Sequence, residues 1–182
     1  KRIPLWMRLR WKVRWATHIA RYKKEAAAIF VQTEDVNQRL SRIVKDIPIY
    51  TISNTYNNAY DLQKEFPNKL PARTDGEIRL LTISAYYKHK NFEIIPKTIE
   101  VLKARGVTNV KFVVTLPDER FKDAFGDHPS PNIINVGFVP TLEGASLYKE
   151  CDFMFLPTLL ECFSASYAEA MVMKKPILTS DL

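Results

Sequence analysis

Two carboxylates, Glu161 and Glu169, are separated by seven residues near the end of the chain, and Lys90 precedes a predicted helix. The two oxygens of a carboxylate can accept hydrogen bonds from two adjacent hydroxyl groups, and an ammonium group can neutralise negative charge that grows on a leaving group. The spacing alone is unspecific. It becomes informative because a predicted strand ends at Pro157, before Glu161, and Glu169 lies in a predicted helix that runs into Met171.

The segment from Glu161 to Ala165 lies where this helix should begin. A helix N-terminus presents unpaired N–H groups and the positive end of the helix dipole, so it can bind an anion. The residue types therefore suit a ligand that carries both an anionic group and neighbouring hydroxyl groups.

The elements that position these residues are visible from Arg79 onward, where short apolar runs alternate with amphipathic segments. Strands are predicted at 80–83, 112–114, 133–136, 153–156 and 177–178, and helices at 91–105, 118–125, 142–150 and 163–173. This alternation predicts an α/β fold with a doubly wound parallel sheet. Because ligands bind beyond the carboxyl ends of the strands in such sheets, we expect the site in the loops at 84–91, 115–118, 137–141 and 157–164.

The first third of the chain predicts a smaller set of elements. Strands at 27–32 and 48–52 flank a helix that follows Thr33, a residue type suited to capping a helix N-terminus. From residue 59 the chain is polar and shows no clean apolar period. We therefore predict three parts: the end of one domain at 1–58, a connector at 59–78, and a second domain at 79–182 that is truncated at its C-terminus.

Basic charge is concentrated in residues 1–24, which hold nine of the 27 Lys and Arg residues, no acidic residue and all three tryptophans. The remainder carries 18 basic and 20 acidic residues, so it is close to neutral. Apolar and basic residues alternate over 7–15 as in a strand, but the pattern runs on without a helix breaker, and we favour a helix.

One face of this helix would carry tryptophans among cations, namely Arg8, Arg10, Trp11, Lys12, Arg14 and Trp15. Such a face suits the headgroup layer of an anionic membrane. A solvated or domain-facing structural helix explains the same pattern. Nucleic-acid binding is not expected, because no recognition motif follows the arm.

The composition, with 46% hydrophobic and 26% charged residues, is typical of a protein with a core and excludes a disordered or fibrous chain. No stretch approaches the roughly 18 uninterrupted apolar residues of a membrane span. Two cysteines and three scattered histidines predict neither a disulfide framework nor a metal cluster. We expect no cofactor and no metal, and a cytoplasmic protein, with peripheral attachment to the cytoplasmic face of the membrane as an option.

The segment from Leu156 to Met171, followed by a Pro-led strand at 175–178, resembles the C-terminal, donor-binding domain of retaining GT-B glycosyltransferases of the glycosyl transferases group 1 family. The sequence motif of these enzymes is a Glu, then seven residues, then a second Glu that is followed by Ala-Met. Ser84 with Lys90, and the stretch 135–139, are supporting matches. The resemblance implies a Rossmann-like domain at 79–182 and places residues 1–58 at the end of the acceptor-side domain.

The resemblance implies that the ligand is a nucleotide sugar. Glu169 would accept both ribose hydroxyls, Glu161 would hold and orient the donor sugar, and Lys90 would neutralise charge on the β-phosphate. The other donor-binding positions that it implies are Ser84, Ala85, Gly137, Val139, Cys162, Phe163, Ser164 and Ala165. Transfer without a metal is usual in this class.

The chain departs from the family pattern at two places. Many relatives carry an Arg where this chain has Ala85, and the residues at 86–89 are candidates to compensate. Glycines often flank the Phe after the first Glu, but here Cys162 and Ser164 do, and their side chains could narrow the sugar pocket. We expect Cys162 to be a small packing residue rather than a nucleophile.

The sequence thus predicts a retaining glycosyltransferase that moves a sugar from a nucleotide donor to a glycan or lipid-linked acceptor, in surface polysaccharide biosynthesis. Because a GT-B enzyme needs two domains facing a cleft, we expect this chain to be a fragment that is inactive alone. A nucleotide-sugar epimerase of the same fold is disfavoured by the Glu pair. The alternative from another class is a non-catalytic membrane- or partner-binding module on a degenerate transferase domain, which the loss of the Arg at Ala85 supports.

Overall fold

The computed structural model describes residues 5–62 and 64–181, and the chain divides into two compact units between Asn54 and Thr55. The first unit contains helix α1 (Leu5–Glu25), strand β1 (Ile29–Val31), helix α2 (Glu34–Ser41) and strand β2 (Ile49–Thr51). The two strands pair in parallel. Both strands and the helix between them were predicted.

Side-chain hydrogen bonds fix α2 on this small sheet. The hydroxyl of Thr33 accepts a hydrogen bond from the Val36 N–H at 3.4 Å, which confirms the predicted cap. The amide of Asn37 donates to the Ile49 carbonyl at 3.3 Å and to the Thr51 hydroxyl at 2.8 Å. Asn37, in the middle of α2, therefore attaches the helix to β2 by hydrogen bonds.

The basic arm is helical, so the helix prediction is confirmed over the strand alternative. α1 is 21 residues long and none of its residues is buried. The side chains of Trp11 and Trp15 are 54% and 52% exposed. Among the described residues, no helix is both long and apolar enough to cross a membrane.

The second unit holds a five-stranded parallel sheet with the strand order β5-β4-β3-β6-β7. Its strands are β3 (Ile78–Thr82), β4 (Val110–Val114), β5 (Ile133–Asn135), β6 (Phe153–Leu156) and β7 (Ile177–Thr179). Its helices are α3 (Ala59–Leu62), α4 (Ile94–Ala104), α5 (Asp118–Phe125), α6 (Gly144–Glu150) and α7 (Ala165–Val172). The predicted doubly wound, Rossmann-like α/β fold is confirmed, and all five predicted strands lie in the sheet.

Three predicted helices begin two or three residues later than expected, α7 at Ala165 among them. α4 begins at Ile94 after a 3-10 turn at Lys88–Lys90, so Pro96 occupies the first turn. The N–H groups of a first turn have no partner within the helix, and a proline is tolerated there without the expected distortion. α6 is likewise preceded by a 3-10 turn, at Thr141–Glu143.

The core lies on both faces of this sheet. One cluster joins Leu81 and Met154 of the strands to Tyr148 of α6 and Ala170 of α7. The other packs strand residues such as Phe112 against Ile95 of α4. Strands covered on both faces explain why their sequences are continuous apolar runs.

The residues predicted as a connector, 59–78, form part of the second unit. Tyr60 and Leu70 are buried in its core. The Glu150 carboxylate accepts the backbone N–H groups of Lys69 and Leu70, each at 3.1 Å. The structural boundary thus falls at Asn54 rather than at residue 58, because a stretch without apolar periodicity is still anchored by single buried side chains. The assignment of 1–58 to an acceptor-side domain and of 79–182 to a donor-binding domain stays a prediction.

Candidate functional site

The strand order creates a switch point between β3 and β6. The chain winds from β3 outward through β4 and β5, and then returns to add β6 and β7 on the other side. The loops that follow β3 and β6 therefore meet at the carboxyl edge of the sheet, where doubly wound folds bind ligands. They are joined there by hydrogen bonds from the Leu159 N–H and the Thr158 hydroxyl to the His89 carbonyl, at 2.7 and 3.0 Å.

A cleft of about 460 Å³ opens at this edge. Four residues of the predicted site line it: Ser84 and Ala85 after β3, Val139 after β5, and Glu169 of α7. Three of the four loops in which the site was expected, at 84–91, 115–118 and 137–141, contribute to the lining, whereas the described lining includes no residue of the fourth, at 157–164.

Gly137 does not line the cleft as the structure describes it, but it shapes the loop that does. Its φ of +72° lies in the left-handed region, which a side chain disfavours. The Asn135 side chain accepts the Gly137 N–H at 3.2 Å and also bonds both backbone groups of Leu116, at 3.0 and 2.8 Å. This clamp sets the position from which Phe138 and Val139 reach the cleft.

Glu169 is the one carboxylate among the described residues that line the cleft. Burial raises the pKa of its carboxyl above the ordinary value, and a hydrogen bond from Tyr60 partly opposes that rise. Burial also raises the pKa of the Tyr60 phenol, and the charge of Glu169 raises it further. Tyr60 therefore keeps its proton throughout the physiological range.

Lys90 and Glu161 are brought together from the two loops of the switch point. The Lys90 ammonium and a Glu161 carboxylate oxygen form an ion pair, and the two side chains are only 13% and 15% exposed. Asn91, in the left-handed conformation at φ 58°, donates to the Pro157 carbonyl at 3.1 Å and holds the same loops together. Neither Lys90 nor Glu161 is among the described residues that line the cleft.

The segment 162–165 places the start of α7. Ser164 is buried and occupies the N-cap position, and no side chain caps the helix there. Ala165 is the first helical residue, and Phe163 packs edge-on against Tyr167 at 6.4 Å. Cys162 is exposed, so the expectation that it packs into the protein is wrong. The two side chains that replace glycines thus lie in different environments, Cys162 in solvent and Ser164 in the protein interior.

Several lining residues were not predicted from the sequence, namely Tyr60, Thr115, Arg120, Phe138, Thr141 and Ser166. Three of them, Thr115, Phe138 and Thr141, lie in loops that the fold class indicated, so their positions but not their identities were accessible. Tyr60 lies in the predicted connector, which also holds Phe66, and no local pattern in this polar stretch distinguished it as a buried residue.

The place of the missing Arg is occupied by the small side chain of Ala85, which lines the cleft. Lys88 does not supply a free cation, because its ammonium binds the Tyr86 hydroxyl at 2.7 Å and the Glu93 carboxylate at 3.0 Å. These contacts raise the pKa of Lys88, the Tyr86 hydrogen bond most. Arg120 is the cation among the described residues that line the cleft, and it pairs with Asp123 on its exposed side at 3.0 Å.

A family model described as "Glycosyl transferases group 1" matches residues 77–182, more than half of the chain. No curated protein matches the sequence significantly.

Solved structures share the fold at low sequence identity. TarM matches with a TM-score of 0.65 and 18% identity over 90% of this chain and 31% of its own. A second structure of TarM, from S. aureus, is a complex with fondaparinux, alpha-GlcNAc-glycerol and UDP. WaaG, described as a glycosyltransferase involved in lipopolysaccharide biosynthesis, matches with a TM-score of 0.61 and 14% identity over 82% of this chain and 43% of its own. This chain therefore spans less than half of the length of these proteins, 31% of TarM and 43% of WaaG.

Proposed function

This chain belongs to the glycosyl transferases group 1 family and has a GT-B type fold. We propose that its second unit is the donor-binding half of a retaining glycosyltransferase. The observation that carries the proposal is the cleft at the carboxyl edge of the sheet, which is lined by Glu169. The Lys90–Glu161 pair joins the loops after β3 and β6 at the same edge. The donor is a nucleotide sugar.

Each part of the donor has a matching group. The Glu169 carboxylate accepts the ribose hydroxyls, since a carboxylate has lone pairs for several donors. The N-terminus of α7 binds the diphosphate, because its first N–H groups and the helix dipole favour an anion. Glu161 holds the donor sugar, and Lys90 neutralises charge on the β-phosphate as the glycosidic bond breaks.

The ion pair between Lys90 and Glu161 supports this division of roles. Two charges that neutralise each other keep the ligand-free site at low net charge, and a donor that offers hydroxyl groups and a diphosphate provides both with new partners. The remaining donor-binding positions that we propose are Ser84 and Ala85 after β3, Gly137 and Val139 after β5, and residues 162–165 at the start of α7.

The remaining features of the reaction are also proposals. The sugar is transferred with retention to a glycan or lipid-linked acceptor, in surface polysaccharide biosynthesis, and in the cytoplasm. The transfer needs no metal, because Lys90 and the α7 N-terminus supply the positive charge at the leaving diphosphate. Activity that is abolished by EDTA and restored by a divalent cation would contradict this last point.

Calorimetric titration of the 182-residue chain with UDP, GDP, ADP and their common sugar conjugates tests the donor site. We expect one nucleotide to bind selectively, and the Glu169→Ala variant to weaken it by about tenfold or more, since hydrogen bonds to a charged group are lost. Glu100→Ala, at an exposed position of α4, is the matched control and should leave binding unchanged.

The two outcomes separate the enzyme from its alternative. Selective binding that depends on Glu169 supports a functional donor site despite Ala85. If none of the nucleotides binds, or if both variants bind like the wild type, the donor site as proposed is wrong and a non-catalytic module becomes the better interpretation.

We also propose that α1 attaches the protein to an anionic membrane surface. The face formed by Arg8, Trp11, Lys12 and Trp15 encloses a shallow exposed pocket, and α1 carries no acidic residue before Glu25. Exposed tryptophans among cations match the headgroup layer both in polarity and in charge.

Co-sedimentation with vesicles of phosphatidylcholine, with and without phosphatidylglycerol, tests this attachment. Replacement of Arg8 and Lys12 by Gln should weaken binding to the anionic vesicles by roughly thirtyfold, at about 1 kcal/mol for each charge. Replacement of the exposed Arg39 and Arg42, which lie at the end of α2, is the matched control. Equal binding to neutral and anionic vesicles would refute the electrostatic attachment and favour a structural helix.

A further inference from the structure

We infer that Arg120 reads the base of the bound nucleotide and selects a base that carries carbonyl oxygens, uracil or guanine, over adenine. The inference rests on the proposed function, because it takes the ligand to be a nucleotide. It adds the class of base and the side chain that recognises it. Arg120 lines the cleft from α5, whereas Glu169 lines it from α7.

The strand order places Arg120 and Glu169 on opposite sides of β3. α5 follows β4 and α7 follows β6, and β4 and β6 are the two neighbours of β3 in the sheet. Because adjacent strands lie about 4.8 Å apart, the strands that lead into these helices are separated by roughly 10 Å. The described lining extends from Glu169 to the loops after β4 and β5 and includes no residue after β7. A nucleotide whose diphosphate contacts the start of α7 and whose ribose contacts Glu169 therefore extends its base towards Arg120.

The side chains near Arg120 suit the faces of a base. Pro117 after β4 and Phe138 after β5 line the cleft, and the Phe138 ring is 74% exposed. The Asn135 side chain holds the two loops together through the Leu116 N–H and carbonyl, at 3.0 and 2.8 Å. Packing against such side chains accepts any base, because every base has a π-face. The choice between bases is therefore made by polar groups.

The polar groups among the described lining residues favour a base that accepts hydrogen bonds. Arg120 is their cation, a guanidinium only donates, and no Asn or Gln is among them. An amide side chain matches adenine, which donates from its amino group, whereas arginine matches the paired acceptors of guanine. Uracil also offers carbonyl oxygens and has no amino group. The Thr115 hydroxyl accepts the Ser84 N–H at 3.3 Å, which leaves its own proton to donate.

Arg120 is oriented by a contact that a ligand can share. Its Nη1 donates to the Asp123 carboxylate, one turn further along α5, at 3.0 Å, and the two side chains are 59% and 53% exposed. Such an exposed pair contributes little to stability. One hydrogen bond also leaves most of the five N–H donors of the guanidinium for a ligand. Replacement of Arg120 should therefore leave the fold intact.

Calorimetric titration of the 182-residue chain with UDP, GDP and ADP tests this inference. We expect UDP or GDP to bind at least about fivefold more tightly than ADP, the lower end of what one matched contact between arginine and a base provides. The tighter of the two identifies the base. In Arg120→Met the advantage over ADP should fall to about twofold or less, because the matched contact is lost. Arg105→Met, at an exposed position at the end of α4, is the matched control and should keep the full preference.

Arg120→Lys separates the reading of the base from the effect of charge. Lysine keeps the positive charge but lacks the planar fork of donors. We therefore expect this variant to lose most of the preference over ADP and to bind inorganic pyrophosphate like the wild type. If it keeps the full preference, or if Arg120→Met weakens UDP, GDP, ADP and pyrophosphate by the same factor, Arg120 acts through its charge on the diphosphate and the inference is wrong.

The same titrations keep this inference apart from the proposed function. If a nucleotide binds and Glu169→Ala weakens it, but ADP binds as tightly as UDP and GDP, the donor site stands and the role of Arg120 is overturned. If none of the three nucleotides binds, the donor site is wrong and the inference falls with it. A preference for UDP or GDP that is lost in Arg120→Met and Arg120→Lys, and kept in Arg105→Met, supports the inference.

Discussion

At the scale of single residues, the Lys90–Glu161 pair shows how a binding site can be stable before its ligand arrives. Both side chains are mostly buried, so each charge depends on the other for its solvation. An exposed pair would contribute little, and its loss would be hard to detect. The burial of this pair therefore makes its structural role measurable separately from its role in binding.

We predict that Lys90→Met and Glu161→Gln each lower the free energy of unfolding by on the order of 3 kcal/mol, because each leaves a buried charge unpaired. The double variant should lie within about 1 kcal/mol of the wild type, since no charge is left without a partner. Its affinity for the nucleotide should nevertheless be lost.

Urea titration with hydrogen exchange of the β3 and β4 amides measures these free energies in the second unit. Tryptophan fluorescence is unsuitable, because all three tryptophans lie in residues 1–24 and report the first unit. Losses that simply add in the double variant would show that the two side chains do not act as a pair.

At the scale of elements, the opposite edge of the sheet is held by a second group of charges. At the start of β3, Arg79 pairs with Glu77 at 2.6 Å, with 4% and 5% of their side chains exposed, and donates to the Pro71 carbonyl at 2.7 Å. Asp152, before β6, accepts the Arg79 N–H at 2.8 Å and binds Arg73. These contacts attach the segment 71–79 to the sheet, and through it the helix that carries Tyr60.

We predict that Arg79→Met lowers the free energy of unfolding of the second unit by about 3–5 kcal/mol, because the Glu77 charge stays buried without its partner. Lys122→Met is the control, since its pair with Asp127 leaves both side chains about two-thirds exposed, at 69% and 67%. It should change the free energy by less than about 1 kcal/mol. Similar small effects of both variants would contradict the anchoring role of Arg79.

Elements with a regular apolar pattern could be predicted from the sequence, whereas elements without such a pattern could not. Strand β6 and helix α5 have the predicted bounds, because apolar runs and caps are local signals. α3 and Tyr60 escaped prediction because their burial depends on contacts with α6 and α7, more than 80 residues away. Similarly, the types and setting of Glu161, Glu169 and Lys90 could be predicted, whereas the ion pair between Lys90 and Glu161 required the fold.

At the scale of the whole second unit, the buried and half-buried carboxyls fall into two classes with opposite pH behaviour. Burial alone would raise the pKa values of Glu77 and Asp152, but hydrogen bonds and neighbouring cations hold both pKa values below their ordinary values. For Glu169 burial prevails, and its pKa is raised. The first class stabilises the fold above the ordinary pKa and loses this contribution as the pH falls. Glu169 instead costs stability, and this cost grows as the pH rises from the ordinary pKa of its carboxyl to the raised one and is full above it.

The pH dependence of unfolding should therefore reveal Glu169 as a functional group that the fold tolerates at a cost. We predict that Glu169→Gln raises the free energy of unfolding at pH 7, because a neutral amide needs no desolvation of charge and can still accept from Tyr60. The gain should shrink as the pH falls through the raised pKa of Glu169.

Glu77→Gln should do the reverse. It should lower the free energy of unfolding at pH 7, and this loss of stability should fade as the pH falls below the ordinary value of about 4.5 and through the lowered pKa of Glu77. Unfolding followed by hydrogen exchange of β3 and β4 between pH 3 and 8 measures both. A Glu169→Gln variant that is destabilised at pH 7 would show that this carboxylate serves the fold rather than a ligand.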